Sequence, residues 1–172
     1  MQRKLGRSGI EVSAMGFGAW AIGGPWTIFG SPAGWGEVDD DESVQAIHAA
    51  LEAGITFFDT AANYGAGHSE RILARALAGR RDEVVIATNV FFAPDRPNLR
   101  GLSRKHIQKA CEDSLRRLGT DYIDLYQIHH IDRTIPVEEF WGMLERLVAD
   151  GKVLYTGSSN FPGWALAKFQ AA

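Results

Sequence analysis

Four runs rich in apolar and β-branched residues begin near Ile55, Val84, Tyr122 and Val153, and an amphipathic helical pattern follows each. Their starts lie roughly thirty to forty residues apart, which leaves room for one strand, one helix and two short turns per unit. Few folds accept such a rhythm. Strands separated by helical crossovers run parallel, and the crossovers are right-handed. The segments support this in detail. "DDDESVQAIHAALEAG" has acids at its start, where they suit the helix macrodipole, a stripe of Val44, Ile47 and Leu51, and Gly54 as a stop. "EVVIATNV" carries β-branched residues on both faces, as a strand covered on both sides should. "SRKHIQKACEDSLRRLG" has Ser103 placed to cap, Ile107, Ala110, Cys111, Leu115 and Leu118 on one face, and Gly119 at its end. "PVEEFWGMLERLVADG" has Pro136 suited to a first helical turn. Ahead of the first unit, "KLGRSGIEVSAMG" turns at Arg7-Ser8-Gly9 and predicts a β-hairpin.

Two architectures fit a βα alternation, a doubly wound sheet and a (β/α)8 barrel. A doubly wound nucleotide-binding sheet should show G-x-G-x-x-G between its first strand and helix. The glycines of "GFGAWAIGGPW" miss that spacing and lead into a long tryptophan-rich loop. The barrel is the better reading: an α/β parallel TIM barrel, incomplete over residues 1–172, with an N-terminal hairpin and about five βα units in one partial domain. A closed barrel needs eight units and typically about 250 residues. An open parallel sheet leaves two unpaired edges, so the rest of the barrel is expected from a longer protein or a second polypeptide.

In a parallel barrel, chemistry collects where the strands end at their C-termini. Here the apolar runs give out on Asp59, Asn89, His129 and Ser159-Asn160, four polar stops that would share one rim. "GITFFDTAANYGAGHSE" adds Tyr64, in a glycine-rich turn five residues beyond Asp59. A phenol ionises near 10 and is a weak acid at neutral pH unless its anion is stabilised. With a histidine beside it to orient a carbonyl, it suits protonation of an oxygen while hydride reaches the carbon.

Other classes are disfavoured. Net charge is −3 with the basic residues scattered, so neither a nucleic-acid footprint nor a polybasic membrane patch is visible. No run approaches the roughly 18 apolar residues of a membrane span. The start lacks a signal-peptide core and there is one cysteine, on a helical apolar stripe, so the expectation is a cytoplasmic protein without disulfides. No metal site is expected: His129 and His130, as strand neighbours, should face opposite ways. His48, His68 and His106 are expected on solvated surfaces, as are Arg80 and Arg81 of "GRRDE".

"FFDTAANYG", "VVIAT", "GLSRKHI", "SLRRLGTDYIDLYQIH" and "GKVLYTGSSNF" together resemble the aldo-keto reductases, NADPH-dependent (β/α)8-barrel oxidoreductases, over essentially the whole chain. The resemblance implies reduction of aldehydes or ketones to alcohols, with NADPH, or NADH in its place, as cofactor and a small carbonyl compound as substrate. It makes Tyr64 the proton donor, His129 the group that places the carbonyl and Asp59 their organiser. Ser159 and Asn160 would bind the nicotinamide carboxamide, with Trp20 and Asp59 also at the cofactor. Trp26, Phe29, Trp35, Phe91 and Phe92 are candidate apolar walls. The later strands of the family bring a ring-stacking aromatic and a basic phosphate loop that have no counterpart here.

One catalytic position departs from the pattern. The family's lysine, usually in a phrase like "ATK", is Asn89 in "IATNV". An amide donates hydrogen bonds but carries no charge. Asp59 would then be an enclosed anion without its cation, and it should either take up a proton or weaken Tyr64 as an acid. Impaired carbonyl reduction is the expectation. Inactivation, another proton route and a cation from outside the chain are three ways to read the asparagine. A non-catalytic, cofactor-sensing or regulatory subunit is the alternative function, as for family members associated with ion channels.

Overall fold

The computed structural model describes residues 1–28, 30–92 and 98–171. Strands β1 (Gln2–Lys4) and β2 (Glu11–Ser13) form the expected antiparallel hairpin. The main sheet is separate from it and consists of β3 (Phe17–Gly18), β6 (Phe57–Asp59), β7 (Val85–Val90), β8 (Ile123–Ile128) and β9 (Val153–Ser158). They pair in that order and every pairing is parallel. Helices α1 (Asp40–Glu52), α2 (His68–Ala76), α3 (Arg104–Leu118) and α4 (Val137–Ala149) make the crossovers, and α5 (Gly163–Gln170) follows the last strand. The tryptophan-rich loop is not irregular throughout: β4 (Thr27–Ile28) and β5 (Ser31–Pro32) form a small antiparallel hairpin within it. Two-residue strands are too short to leave a periodic signal.

Local chemistry sets the element ends. Asp39 caps α1, its Oδ1 accepting from the amides of Asp41 at 2.8 Å and Glu42 at 3.0 Å. Ser103 Oγ caps α3 by accepting from His106 N, and Gly119, at φ +64°, closes it in the left-handed region. Pro136 sits one residue before its expected place, as the N-cap of α4.

Strand alternation divides the sheet into two faces. Phe58, Ile86, Tyr126 and Ile128 project to the helix side, where they join Ile47, Leu73, Ile107, Phe140 and Leu144 in one buried cluster. Cys111 is fully buried in it, as expected, and burial pushes its thiol up to about 12. The opposite face carries Asp59, Asn89, Leu125, Gln127 and Tyr155. Along it Asn89 stands beside Gln127, and Gln127 beside Gly157. Among the described residues β3 and β9 each pair on one side only. β9 is accordingly half-open on both faces, with Leu154 43% and Tyr155 37% exposed. No helix among the described residues is long and apolar enough to cross a membrane.

Two surface expectations are overturned. Arg81 is not solvated: it pairs with Asp124 and donates to the carbonyls of Val84 and Tyr122. Asp124 in turn accepts from Ile86 N at 2.9 Å, so the pair staples β7 to β8. His106 is 4% exposed; its ring bonds the Phe91 carbonyl, its Nε2 is buried without a partner, and burial lowers it to about 4. His48 bonds the Ala76 carbonyl and His68 bonds Asp40, each at the seam of two elements. Their partners are remote in sequence, which is why a local reading left them at the surface.

Candidate active site

The sheet ladder runs on past the strands and fixes the rim. Ala19 N donates to Asp59 O, Thr60 N to Ala87 O, His129 N to Val90 O and Ser159 N to Ile128 O, all at 2.8 to 2.9 Å. Asp59, Asn89, His129 and Ser159 are thereby held where adjacent parallel strands end on the same side of the sheet.

Tyr64 reaches this rim through a strained turn. Gly65, Ala66 and Gly67 all have positive φ, at 58°, 52° and 86°. Two of these positions admit no side chain for separate reasons. A Cβ on Gly65 would overlap the carbonyl of Gly23 in the first βα loop, and one on Gly67 would overlap the Arg117 side chain of α3. The turn is therefore clamped between two neighbours, and the phenol at its start inherits that fixity.

The Tyr64 ring lies in an aromatic box. Trp20 is nearly parallel to it, with centroids 5.9 Å apart and planes 11° apart. Trp26 is tilted at 6.1 Å, and the His129 ring meets it edge-on at 5.9 Å. Trp20 is itself tethered, its Nε1 donating to Ala33 O at 2.9 Å beside the β4–β5 hairpin, and Trp35 stands edge-on to it. Phe91 and Phe92 pack beside His129 and His130. Phe29, the remaining candidate wall, lies outside the described residues.

Asp59 is the carboxylate of the site, half-buried. Its Oδ1 accepts from Gln127 Nε2 at 3.1 Å and from Asn89 Nδ2 at 3.4 Å. The Asn89 amide also donates to Thr60 O at 2.8 Å, while its Oδ1 is buried without a partner. No cation among the described residues contributes. Burial outweighs the two amides and pushes the Asp59 carboxyl up to about 6. Tyr64 is pushed up to about 12, first by burial and then by the Asp59 charge. His129 is lowered to about 4 by burial and by His130, so it is neutral at neutral pH, with its Nδ1 buried and unpartnered. Asn160, in the left-handed region at φ 56°, donates through Nδ2 to His129 O at 2.9 Å and to Ser159 Oγ at 3.0 Å, with Asn160 exposed and Ser159 half-buried on the rim.

Tyr64 and His129 thus meet from segments 65 positions apart (129 − 64), and Asp59, Asn89, Trp20, Ser159 and Asn160 gather on the same rim. Gln127 completes the set and was missed from sequence, because it sits inside an apolar run; counting alternate residues inward from Leu125 would have found it. The opposite-face argument for the two histidines fails, since β8 ends at Ile128 and the two rings stack at 5.4 Å. No group of three or more His, Cys, Asp or Glu that could hold a metal occurs among the described residues.

A sequence model described as the aldo/keto reductase family matches residues 14–171. Aldo-keto reductase YhdN of Bacillus subtilis is 42% identical over 169 residues, which are 95% of this chain and 48% of that protein. A probable voltage-gated potassium channel subunit beta of Oryza sativa subsp. japonica is 37% identical over 162 residues, 92% of this chain and 46% of its own. Among solved structures, the holo form of aldo-keto reductase AKR11C1 from Bacillus halodurans superposes with a TM-score of 0.83 at 32% identity, covering 99% of this chain and 53% of that one. The chain spans about half the length of the curated relatives it matches.

Proposed function

Since the chain belongs to the aldo/keto reductase family, we propose that its rim reduces an aldehyde or ketone to an alcohol, with Tyr64 as the proton donor. The observation that carries this reading is the meeting of the Tyr64 and His129 rings at 5.9 Å beside a half-buried carboxylate. A neutral His129 donates one N–H to the carbonyl oxygen and turns it toward the phenol. Tyr64 Oη–H then gives its proton to that oxygen, and the phenolate left behind is the charge the site must tolerate. Asp59 and its two amide donors hold the base of this arrangement.

The residues present fit a nicotinamide cofactor. The Ser159-Asn160 pair at the rim offers both a hydroxyl and an amide oxygen to a carboxamide, and Trp20 is 45% exposed. NADPH, or NADH in its place, would supply the hydride when bound there. The holo form of the structural neighbour supports a nicotinamide cofactor in general terms. Segments beyond these residues would complete the barrel and hold the rest of the cofactor. We place the protein in the cytoplasm on its single, buried cysteine.

Asn89 makes the reduction slow, because Asp59 and Tyr64 repel charge without a cation between them. The test is Asn89→Lys with turnover of NADPH and a simple aldehyde. A fall of about 1–3 kcal/mol in the barrier is roughly fivefold to 150-fold in rate, and no rise in rate would sink this account.

The same site supports a second reading, a subunit that senses a cofactor without turning it over. A phenol pushed up to about 12 favours it, and relatives named as potassium channel beta subunits offer the analogy. Quenching of tryptophan fluorescence by NADPH without any aldehyde-dependent oxidation would select it.

A further inference from the structure

The first turn of α2 is tied down by three consecutive side chains, each to a different part of the fold. His68 bonds Asp40 of α1, while Glu70 accepts from Thr88 of β7 and pairs with Arg117 of α3. Ser69, between them, reaches the rim. Its Oγ donates to Ala19 O at 2.7 Å and lies 2.9 Å from Thr60 Oγ1, and all three residues are completely buried. A hydroxyl carries one proton. Ser69 gives its own to Ala19 O, so Thr60 is the donor in the second bond, and the chain runs from Thr60 to Ser69 to Ala19. Each member adjoins a residue of the candidate site. Thr60 follows Asp59, Ala19 precedes Trp20, and Ser69 lies five positions after Tyr64 (69 − 64). Ala19 closes the circuit by donating its N–H to Asp59 O at 2.8 Å.

We propose that Ser69 is a positioning residue for the Tyr64 phenol: its hydroxyl fixes the Ala19 peptide, and with it the Trp20 plane against which the Tyr64 ring is stacked. The glycines that abut Gly23 and Arg117 restrain the backbone of the Tyr64 turn, but a side chain still rotates about its own bonds. Among the described residues no hydrogen bond orients the phenol oxygen, so ring contacts must do it. The nearly parallel Trp20 plane at 5.9 Å covers one face of the Tyr64 ring, and His129 meets the ring edge-on. Trp20 is held at both ends. Its Nε1 bond to Ala33 O tethers the far edge of the indole, and the Ser69 bond fixes the peptide from which the side chain springs. Without Ser69, the buried Ala19 carbonyl loses its donor and can turn to find another, which swings Trp20 and releases the ring beneath it. The consequence for proton transfer rests on the reading of Tyr64 as proton donor; the placement of the stack does not.

The experiment compares Ser69→Ala with Thr60→Val. Each removes one buried hydroxyl, but only the first takes the donor from Ala19 O. The first readout needs neither cofactor nor substrate: the NMR ring signals of Tyr64 in tyrosine-labelled protein, assigned by their loss in Tyr64→Phe, with Tyr122 and Tyr155 as references. Trp20→Leu calibrates the ring-current displacement that the stack produces. The Tyr64 signals should move toward their Trp20→Leu positions in Ser69→Ala and stay at their native positions in Thr60→Val. Should Ser69→Ala not fold, Ser69→Cys, whose thiol is a weak donor, reads the same displacement in part. The second readout is NADPH oxidation with an aldehyde. Ser69→Ala should lower kcat about tenfold with KM nearly unchanged, because a misaligned proton donor is felt in the transition state and not in substrate binding. Signals that hold still in Ser69→Ala, or that move equally in both variants, overturn the positioning role, and so does a displaced ring with native kcat. A displaced ring with no turnover in any of the proteins, the native chain included, supports the placement by Ser69 and removes the reductase reading instead.

Discussion

Thr88 and Asn89 are neighbours in β7, yet they serve carboxylates on opposite faces of the sheet, and the two carboxylates are treated differently. Thr88 Oγ1 points to the helix side and donates to Glu70 Oε1 at 2.7 Å. Glu70 is completely buried, and Arg117 of α3 supplies a guanidinium to its other oxygen while also donating to Ser114. Asn89 points the other way, to Asp59, which receives two neutral amides and no cation. Every oxygen of Glu70 is answered; Asp59 keeps one open. The first arrangement locks α2 to α3 and has nothing left to offer a ligand. The second is an unfinished electrostatic set at the rim proposed to receive a substrate. Burial alone does not mark a functional carboxylate in this fold. What marks Asp59 is burial without compensation.

The sharpest way to break the comparison is to remove the cation from the satisfied side. Arg117→Met should leave Glu70 as an uncompensated buried charge and cost roughly 3–5 kcal/mol of stability, measured by chemical denaturation; a loss below about 1 kcal/mol would mean the pair is not the lock described here. Removing the charge from the unsatisfied side should do the reverse. Asn at position 59 keeps an oxygen for both amides and discards the anion, so Asp59→Asn should raise stability at pH 8 by about 1 kcal/mol, the remainder being screened by solvent. The sign follows from the direction of the shift. Asp59 is raised from 3.8 to about 6 in the fold, so its stabilising contribution is present below about pH 4 and lost as pH rises through 6. His106 and His129, both lowered to about 4, act oppositely and lose their contributions as pH falls from 6.5 through 4. Only the difference between the native chain and Asp59→Asn isolates the carboxylate, and a difference that is flat from pH 4 to 8 would contradict the assignment.

How much of this could be read from the residues depends on how far each signal reaches along the chain. The parallel sheet was legible because each βα unit announces itself locally, by a run of Val and Ile and then a stripe such as Ile107, Ala110 and Cys111. The rim was legible for a similar reason: Asp59, Asn89 and Ser159 interrupt apolar runs, and the interruption is a local event. Gln127 interrupts nothing, since Tyr126 and Ile128 flank it, and only the inward register shared with Leu125 gives it away. Arg81 and His106 were misread because their partners, Asp124 and the Phe91 carbonyl, lie far from them in sequence. The β4–β5 hairpin, which steadies Trp20 through Ala33, is too short for any period to show. The uncharged amide at Asn89 was legible as chemistry before it was visible as geometry: an amide can donate to Asp59 but brings it no charge.

The smallest expected effect probes whether the two amides at Asp59 do part of the work a cation would do. Gln127 donates to Asp59 Oδ1 at 3.1 Å, the shorter of the two amide contacts. Hydrogen bonds to a charged acceptor favour the charged form, so this bond lowers Asp59 against the larger effect of burial. Gln127→Leu removes the donor, keeps similar bulk on the inward face and leaves the Asn89 bond in place. The carboxyl should then titrate above 6, at a cost of about 1 kcal/mol to the ionised form, and Tyr64 should become easier to ionise over the interval in which Asp59 is newly neutral. The check is the pH midpoint of the stability difference against the matching Asp59→Asn, Gln127→Leu double variant. An upward move separates a site where amides do part of a cation's work from one where they only fill space; an unmoved midpoint would place the control of Asp59 in burial alone and narrow the contrast with Glu70 to the presence of Arg117.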